Sequence, residues 1–217
     1  MTELEIERTQ DTARDAQLSR LIELGIPDLA GLTLEEFTAL GRSVELSPDG
    51  VLVVHPSLVA ASALAPLLSR AGKSGFVVED MTDLDEFRPL EGQIVPEAPL
   101  YAIGPVDRGD DMLNWSPDEA IVEITARVRR PLTISEGISW LIQQPERLEP
   151  NFCFMTIASR KPKPRGLDAR TPAIWISNGT GRDGSERRGA PKVGWCWAGN
   201  RHTWLGFAST AGPLPTG

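Results

Sequence analysis

The chain has 217 residues, enough for one large domain or two small ones and for a sizeable core without disulfide staples. Hydrophobic and charged fractions of 41% and 24% are those of an ordinary globular protein and exclude wholesale disorder. The net charge of −8 hides an asymmetry, with 27 Asp/Glu against 12 Lys/Arg in residues 1–150 and 3 against 10 in residues 151–217.

The N-terminus is polar and acidic, with no basic region followed by an apolar one, so no secretory signal is expected. Residues 3–24 read as a helix with Leu18, Leu21 and Ile22 on one face. Gly25 suits the left-handed residue that ends it, and Pro27 is expected to stop continuation. A short helix then starts at Thr33, with Glu36 completing a capping box. After the Ser47-Pro48-Asp49-Gly50 turn, residues 51–54 form a buried strand. Ser57 is expected to cap a helix to about Arg70, split near Pro66, and His55 to end the strand. The apolar run 51–68 is broken by His55, Pro56 and Pro66 and is a poor membrane span. With a second strand at 76–78, the pattern strand, helix, strand allows one parallel crossover.

A single turn from Thr82 to Phe87 precedes an irregular stretch and a third strand at 100–106. Ser116-Pro117-Asp118-Glu119 is the strongest helix start, with serine as cap and proline in the first turn. Arg127, Arg129 and Arg130 are expected to close that helix, complementing its dipole. Thr133 and Glu136 cap another, bearing Ile134, Ile138, Leu141 and Ile142. After Asn151 come strands at 152–158, 172–176, 193–197 and 202–207, with loops rich in Gly, Pro, Lys and Arg. A frayed tail is expected from about Thr210. The fold class is α+β: helices with a few early strands, then a C-terminal antiparallel sheet. The chain reads as one domain, with a possible acidic lobe over 1–150, a basic sheet lobe over 151–210 and a tail over 211–217.

The densest unusual stretch runs from Gly194 to Trp204. Gly199-Asn200 suits a two-residue hairpin turn, which would pair Trp197 with His202 and Trp195 with Trp204. All four rings would then share one face. A core role for that face competes with a ligand wall, with Asn200, Arg201 and His202 at its mouth.

Other signals are weaker. His202 would need a partner to act as a base. Cys153, Cys196, His55 and His202 lack metal-ligand spacing, and the cysteines read as small buried hydrophobes in a reducing, cytoplasmic compartment. The acidic run Glu79, Asp80, Asp83 and Asp85 reads as capping and a solvated turn rather than a magnesium site. Gly179 to Gly184 lacks the lysine and serine of a phosphate loop. No cofactor and no metal are expected.

Asp111 to Pro117, Pro131 to Gly137, Pro172 to Ser177 and Gly194 to Gly206, with Val53-Val54-His55-Pro56-Ser57, resemble an uncharacterised actinobacterial protein family, a domain of unknown function. That resemblance implies a bacterial, cytoplasmic setting and carries over no activity. Three functions stay open. One is a non-enzymatic binding protein, for which a homodimer is possible, using the aromatic stretch and basic loops. Another is an enzyme with a site around Asn151, Arg160, Asn200 and His202. The last is a nucleic-acid binder using the basic part. Attraction between the acidic and basic parts within one fold is the plainer reading of the charge asymmetry.

Overall fold

The structure is a computed structural model that describes residues 3–211, with side chains from Asp11 onward. Helix α1 (Glu3–Glu23) ends before Gly25, whose φ of 74° is left-handed. Pro27 does not stop a helix. It stands in the first turn of α2 (Ile26–Ala30), because Gly25 has already broken the chain and a first-turn proline gives up no hydrogen bond. Helix α3 (Leu34–Arg42) begins on the expected capping box of Thr33 and Glu36.

Strand β1 (Val51–Val54) is buried along its whole length. The helix expected from Ser57 shrinks to α4 (Ala61–Leu64) and one further tight turn. Ser57 caps nothing, since the His55 carbonyl takes the Leu58 and Val59 N–H groups and makes a turn there instead. Strands β2 (Ser69–Arg70) and β3 (Lys73–Ser74) form a hairpin over Ala71 and Gly72, both with positive φ, as a two-residue turn of this hand requires. Next come β4 (Phe76–Val77), β5 (Arg88–Pro89), β6 (Leu100–Ile103) and β7 (Val106–Asp107).

Helix α5 (Pro117–Ala126) starts on the Ser116–Glu119 box. It ends earlier than expected. Val128 turns to a φ of 55°, and Arg129 and Arg130 belong to β8 (Arg129–Pro131) rather than to a last helical turn. Helix α6 (Ile134–Gln143) starts on the Thr133–Glu136 box. The remaining strands are β9 (Cys153–Met155), β10 (Ser159–Arg160), β11 (Arg170–Ile176), β12 (Pro191–Trp197), β13 (Leu205–Phe207) and β14 (Ser209–Ala211).

The fold is α+β. Its largest sheet has the order β13-β9-β11-β12-β4, and the pairs β13–β9 and β12–β4 are parallel, so the C-terminal sheet is mixed rather than antiparallel throughout. The possible crossover from β1 to β4 does not occur, because β1 pairs with β6 in a separate antiparallel sheet. The expected hairpin at Gly199-Asn200 does not form either. Trp195 faces Pro172 and Trp197 faces Arg170 across β11, while β13 lies at the far edge beside β9. Nor does the chain fray at Thr210, which is fully buried in β14 between β7 and β8; the expected tail beyond Ala211 lies outside the described residues.

At the centre lies α6, every residue of which is buried, packed against β1, α1, α4 and β11. A helix enclosed on all sides cannot leave a polar face in water. Its polar groups are instead used inside the core: the Ser139 hydroxyl accepts the Val54 N–H at 3.2 Å, and Gln143 donates to the Gln17 carbonyl. Glu136, 0% exposed, receives both terminal nitrogens of Arg130, the Tyr101 hydroxyl at 3.2 Å and the Thr133 N–H at 2.8 Å. Gly137 lets the helix approach the sheet, since a Cβ there would stand 2.6 Å from Thr156 Cγ2.

The acidic and basic parts do touch. Arg170 and Lys161 pair with Asp83, Lys161 also with Glu86, Arg182 with Asp80, and Arg201 with Glu119. These pairs support internal attraction as the meaning of the charge asymmetry.

Candidate functional site

A cleft of about 660 Å³, within the range of small-molecule sites, opens at the N-terminus of α6. Five short segments wall it: His55, Pro56 and Ser57 after β1; Asp85 with Phe87, Arg88 and Pro89; Gln93, Val95 and Glu97; Thr133 to Ser135; and Ser159.

One wall is a turn. The His55 N–H donates to the Pro99 carbonyl at 2.9 Å, fixing the end of β1. The Ser57 N–H donates to His55 Nδ1 at 3.1 Å, and the Ser57 hydroxyl lies 2.6 Å from the same nitrogen. An Nδ1 that accepts a backbone proton places the imidazole proton on Nε2. Burial lowers the His55 pKa below 6.5, against the pull of Glu97 and Glu136, so the ring is neutral near pH 7. Behind it the Tyr101 ring meets His55 edge-on at 6.1 Å, linking this wall to Glu136.

The opposite end is the first turn of α6. Its orphan N–H groups have partners with one exception. Thr133 N–H goes to Glu136, Ile134 N–H to the Ser159 hydroxyl at 2.9 Å, and Glu136 N–H to the Thr133 hydroxyl. Ser135 is only 3% exposed, yet among the described residues neither its N–H nor its hydroxyl has a hydrogen-bond partner. Both belong to a residue that lines the cleft.

The residues singled out from the sequence are dispersed. Trp195 and Trp197 stack edge-on at 4.7 Å on the sheet face that carries Pro172 and Arg170, and Trp197 is 48% exposed. Trp204 packs on Trp175 at 6.3 Å, with His202 on Trp204 at 5.5 Å. Trp175, three residues after Pro172 on β11, lies on the opposite face, so the four rings do not share one side. The chain does bend here, but over Ala198 and Gly199, one residue earlier than expected, closed by the Asn200 N–H on the Trp197 carbonyl. Arg201 then reaches Glu119 and the Asn114 carbonyl, and the Asn114 N–H binds the His202 carbonyl. The start of α5 thus pulls this loop away from β12.

Asn151 is an exposed, left-handed residue of a turn. Arg160 donates to the Asp168 carbonyl at 2.7 Å and is half-buried. His202 Nε2 is buried without a partner, and burial lowers its pKa. No carboxylate bonds it, so the proposed base has no orienting group. No hydrogen bond among the described residues joins Asn151, Arg160, Asn200 and His202 to one another. Asp83 of the acidic run is held at a pKa of about 2, chiefly by Arg170, so it is paired rather than solvated, and Asp85 takes the N–H and hydroxyl of Ser62 in α4. No group of three or more His, Cys, Asp or Glu gathers at metal-holding range among the described residues.

Residues 20–216 match a family model described as a family of unknown function, DUF5701. The chain belongs to this family. Neither the curated proteins nor the solved structures yield a match. The family stretch of this DUF5701 chain spans both the cleft and the Trp-rich strands. No helix among the described residues is long and apolar enough to cross a membrane.

Sequence reasoning missed the cleft because each of its segments has a sufficient local explanation. His55 ends a strand, Ser57 resembles a cap, Asp85 caps a turn, and Thr133 caps a helix. The one usable signal was the polar triplet His55-Pro56-Ser57 directly after four buried aliphatic residues. Chemically, the Ser57–His55 contact is a turn clamp: the lone pair facing the hydroxyl already accepts Ser57's own N–H, which weakens it as a base for that oxygen.

Proposed function

We propose that this DUF5701 chain is a non-enzymatic binding protein that holds a small amphipathic molecule in the cleft at the start of α6. The observation that carries this is Ser135. Polar groups that open into a cleft and have no protein partner are bonded by water or by a ligand. The Ser135 N–H and hydroxyl take no protein partner and belong to a residue lining a cleft with apolar walls at Phe87, Val95 and Pro89, where a ligand that bonds both would replace water. The Ser57 clamp on His55 supports binding over catalysis. The free cysteines Cys153 and Cys196 support a reducing, cytoplasmic setting, and sheets that draw strands from both sides of residue 150 support one domain.

The test is a screen of small soluble metabolites against the ¹⁵N-labelled chain. Hits are expected to move the amides of His55, Thr133 and Ser135 together and to raise Tm, and Gln93→Trp at the half-buried rim is expected to abolish both effects. Hits that move only residues outside the cleft would overturn this reading.

A second reading rests on the exposed Trp197 against Trp195, a ledge on which a planar ring can stack. Quenching of tryptophan emission that vanishes in Trp197→Ala would support it. Nucleic-acid binding is the weakest reading, because Lys161, Lys163, Arg170, Arg182, Lys192 and Arg201 are engaged by carboxylates of this chain.

A further inference from the structure

Resting on the cleft as a binding site, we infer that its ligand carries a single carboxylate, seated on the Ser135 N–H and hydroxyl at the N-terminus of α6. The first turn of a helix carries about half a positive charge, which an acidic capping residue ordinarily offsets. Here that offset is cancelled. Glu136 caps α6 through the Thr133 N–H, but Arg130 grips both of its oxygens, so the pair is neutral and the helix field stays open toward the cleft. The donor left over is the N–H of the second helical residue, beside a hydroxyl that rotates to donate as well. Two adjacent donors at a helix N-terminus fit one carboxylate.

The remaining polar groups set the charge of the ligand. Arg88 lines the cleft, exposed and without a carboxylate partner among the described residues. His55 adds an Nε2–H donor but no charge. Asp85 and Glu97 line other walls and oppose a multiply charged anion. With these carboxylates opposite one arginine and one helix end, a monoanion is favoured over a phosphate ester. Phe87, Val95 and Pro89 give its apolar body a surface.

Benzoate, benzamide and inorganic phosphate separate the alternatives at matched ionic strength, read by ¹⁵N shifts. Benzoate is expected to move the Ser135 amide saturably. Benzamide, the same shape without charge, is expected to bind roughly tenfold more weakly, as is phosphate. Ser135→Ala keeps the N–H but loses the hydroxyl, and should weaken benzoate roughly tenfold while leaving the spectrum of the fold intact. Equal binding of benzamide and benzoate, or tighter binding of phosphate, would overturn the carboxylate inference and leave the cleft reading standing. A Ser135 amide that responds to none of the three, in a chain whose metabolite screen also leaves it unmoved, would remove both.

Discussion

Replacing Glu136 by glutamine strands an arginine in the core. Arg130 is 7% exposed, and its two terminal nitrogens both end on Glu136. Glutamine keeps an acceptor oxygen for the Thr133 N–H or the Tyr101 hydroxyl, but it turns an NH₂ toward a guanidinium and removes the compensating charge. Removing one partner of a buried pair costs about 3–5 kcal/mol. In a chain of this length each kcal/mol moves Tm by about 2–4 °C, so Glu136→Gln is expected to lower Tm by roughly 10 °C. Arg130→Met with Glu136→Gln removes both charges and leaves a methionine that fills the space of the guanidinium stem. The double variant should recover at least half of the loss, a coupling visible in urea midpoints compared across the four proteins. A double variant as unstable as the sum of the two singles, or a Glu136→Gln that loses less than about 1 kcal/mol, would refute the account of a charge pair isolated from water.

Asp83 has its pKa depressed to about 2 by Arg170, and that of Asp168 is lowered by the same guanidinium. Their contribution to stability is therefore present above about pH 4 and lost as pH falls toward 2; Arg170→Gln should flatten the stability profile in that window, Asp83 alone accounting for about 2 kcal/mol. His55 and His202 are both held below 6.5 by burial, so their ring protons should titrate below that value by NMR, and each should lose stability as pH falls from 6.5 through its lowered pKa. At Gly194, a Cβ would stand 2.5 Å from the edge of the Trp175 ring and 3.0 Å from Val78, so Gly194→Ala should cost about 1–3 kcal/mol and shift tryptophan emission to the red. A fluorophosphonate probe should leave Ser57 unlabelled, as mass spectrometry of the treated chain would report; adduct formation there would contradict the clamp.

Interactions that close within a few residues were legible in the sequence. The capping boxes at Thr33, Ser116 and Thr133 span three residues each and needed no knowledge of the fold. The same holds for the buried strand at 51–54 and the strand at 193–197, whose side-chain patterns are intrinsic. Strand partners were not legible. A bend forms next to the expected place, over Ala198 and Gly199, but it says nothing about what binds the chain leaving it, and Glu119 and Asn114 decide that from more than 80 residues away. The cleft was hidden for a related reason. Its walls come from stretches near 55, 87, 95, 134 and 159, and only α6, enclosed by both groups of strands, brings them to one place. The Glu136–Arg130 pair, by contrast, lies within six residues, but nothing in its spacing shows that both ends are removed from water.

Strand β14 sits between β7 and β8, which do not bond to each other. Asp107 and Pro131 thus both wait for Ser209, about a hundred positions later in one case. During synthesis the earlier two strands have exposed edges and no mutual register until the later one arrives. Such long-range closure slows folding and lengthens the time in which unpaired edges can meet other chains. A nick or deletion within the short run 209–211 should therefore unfasten segments far upstream, and a fusion partner is best attached where it leaves those three residues free to slot in last.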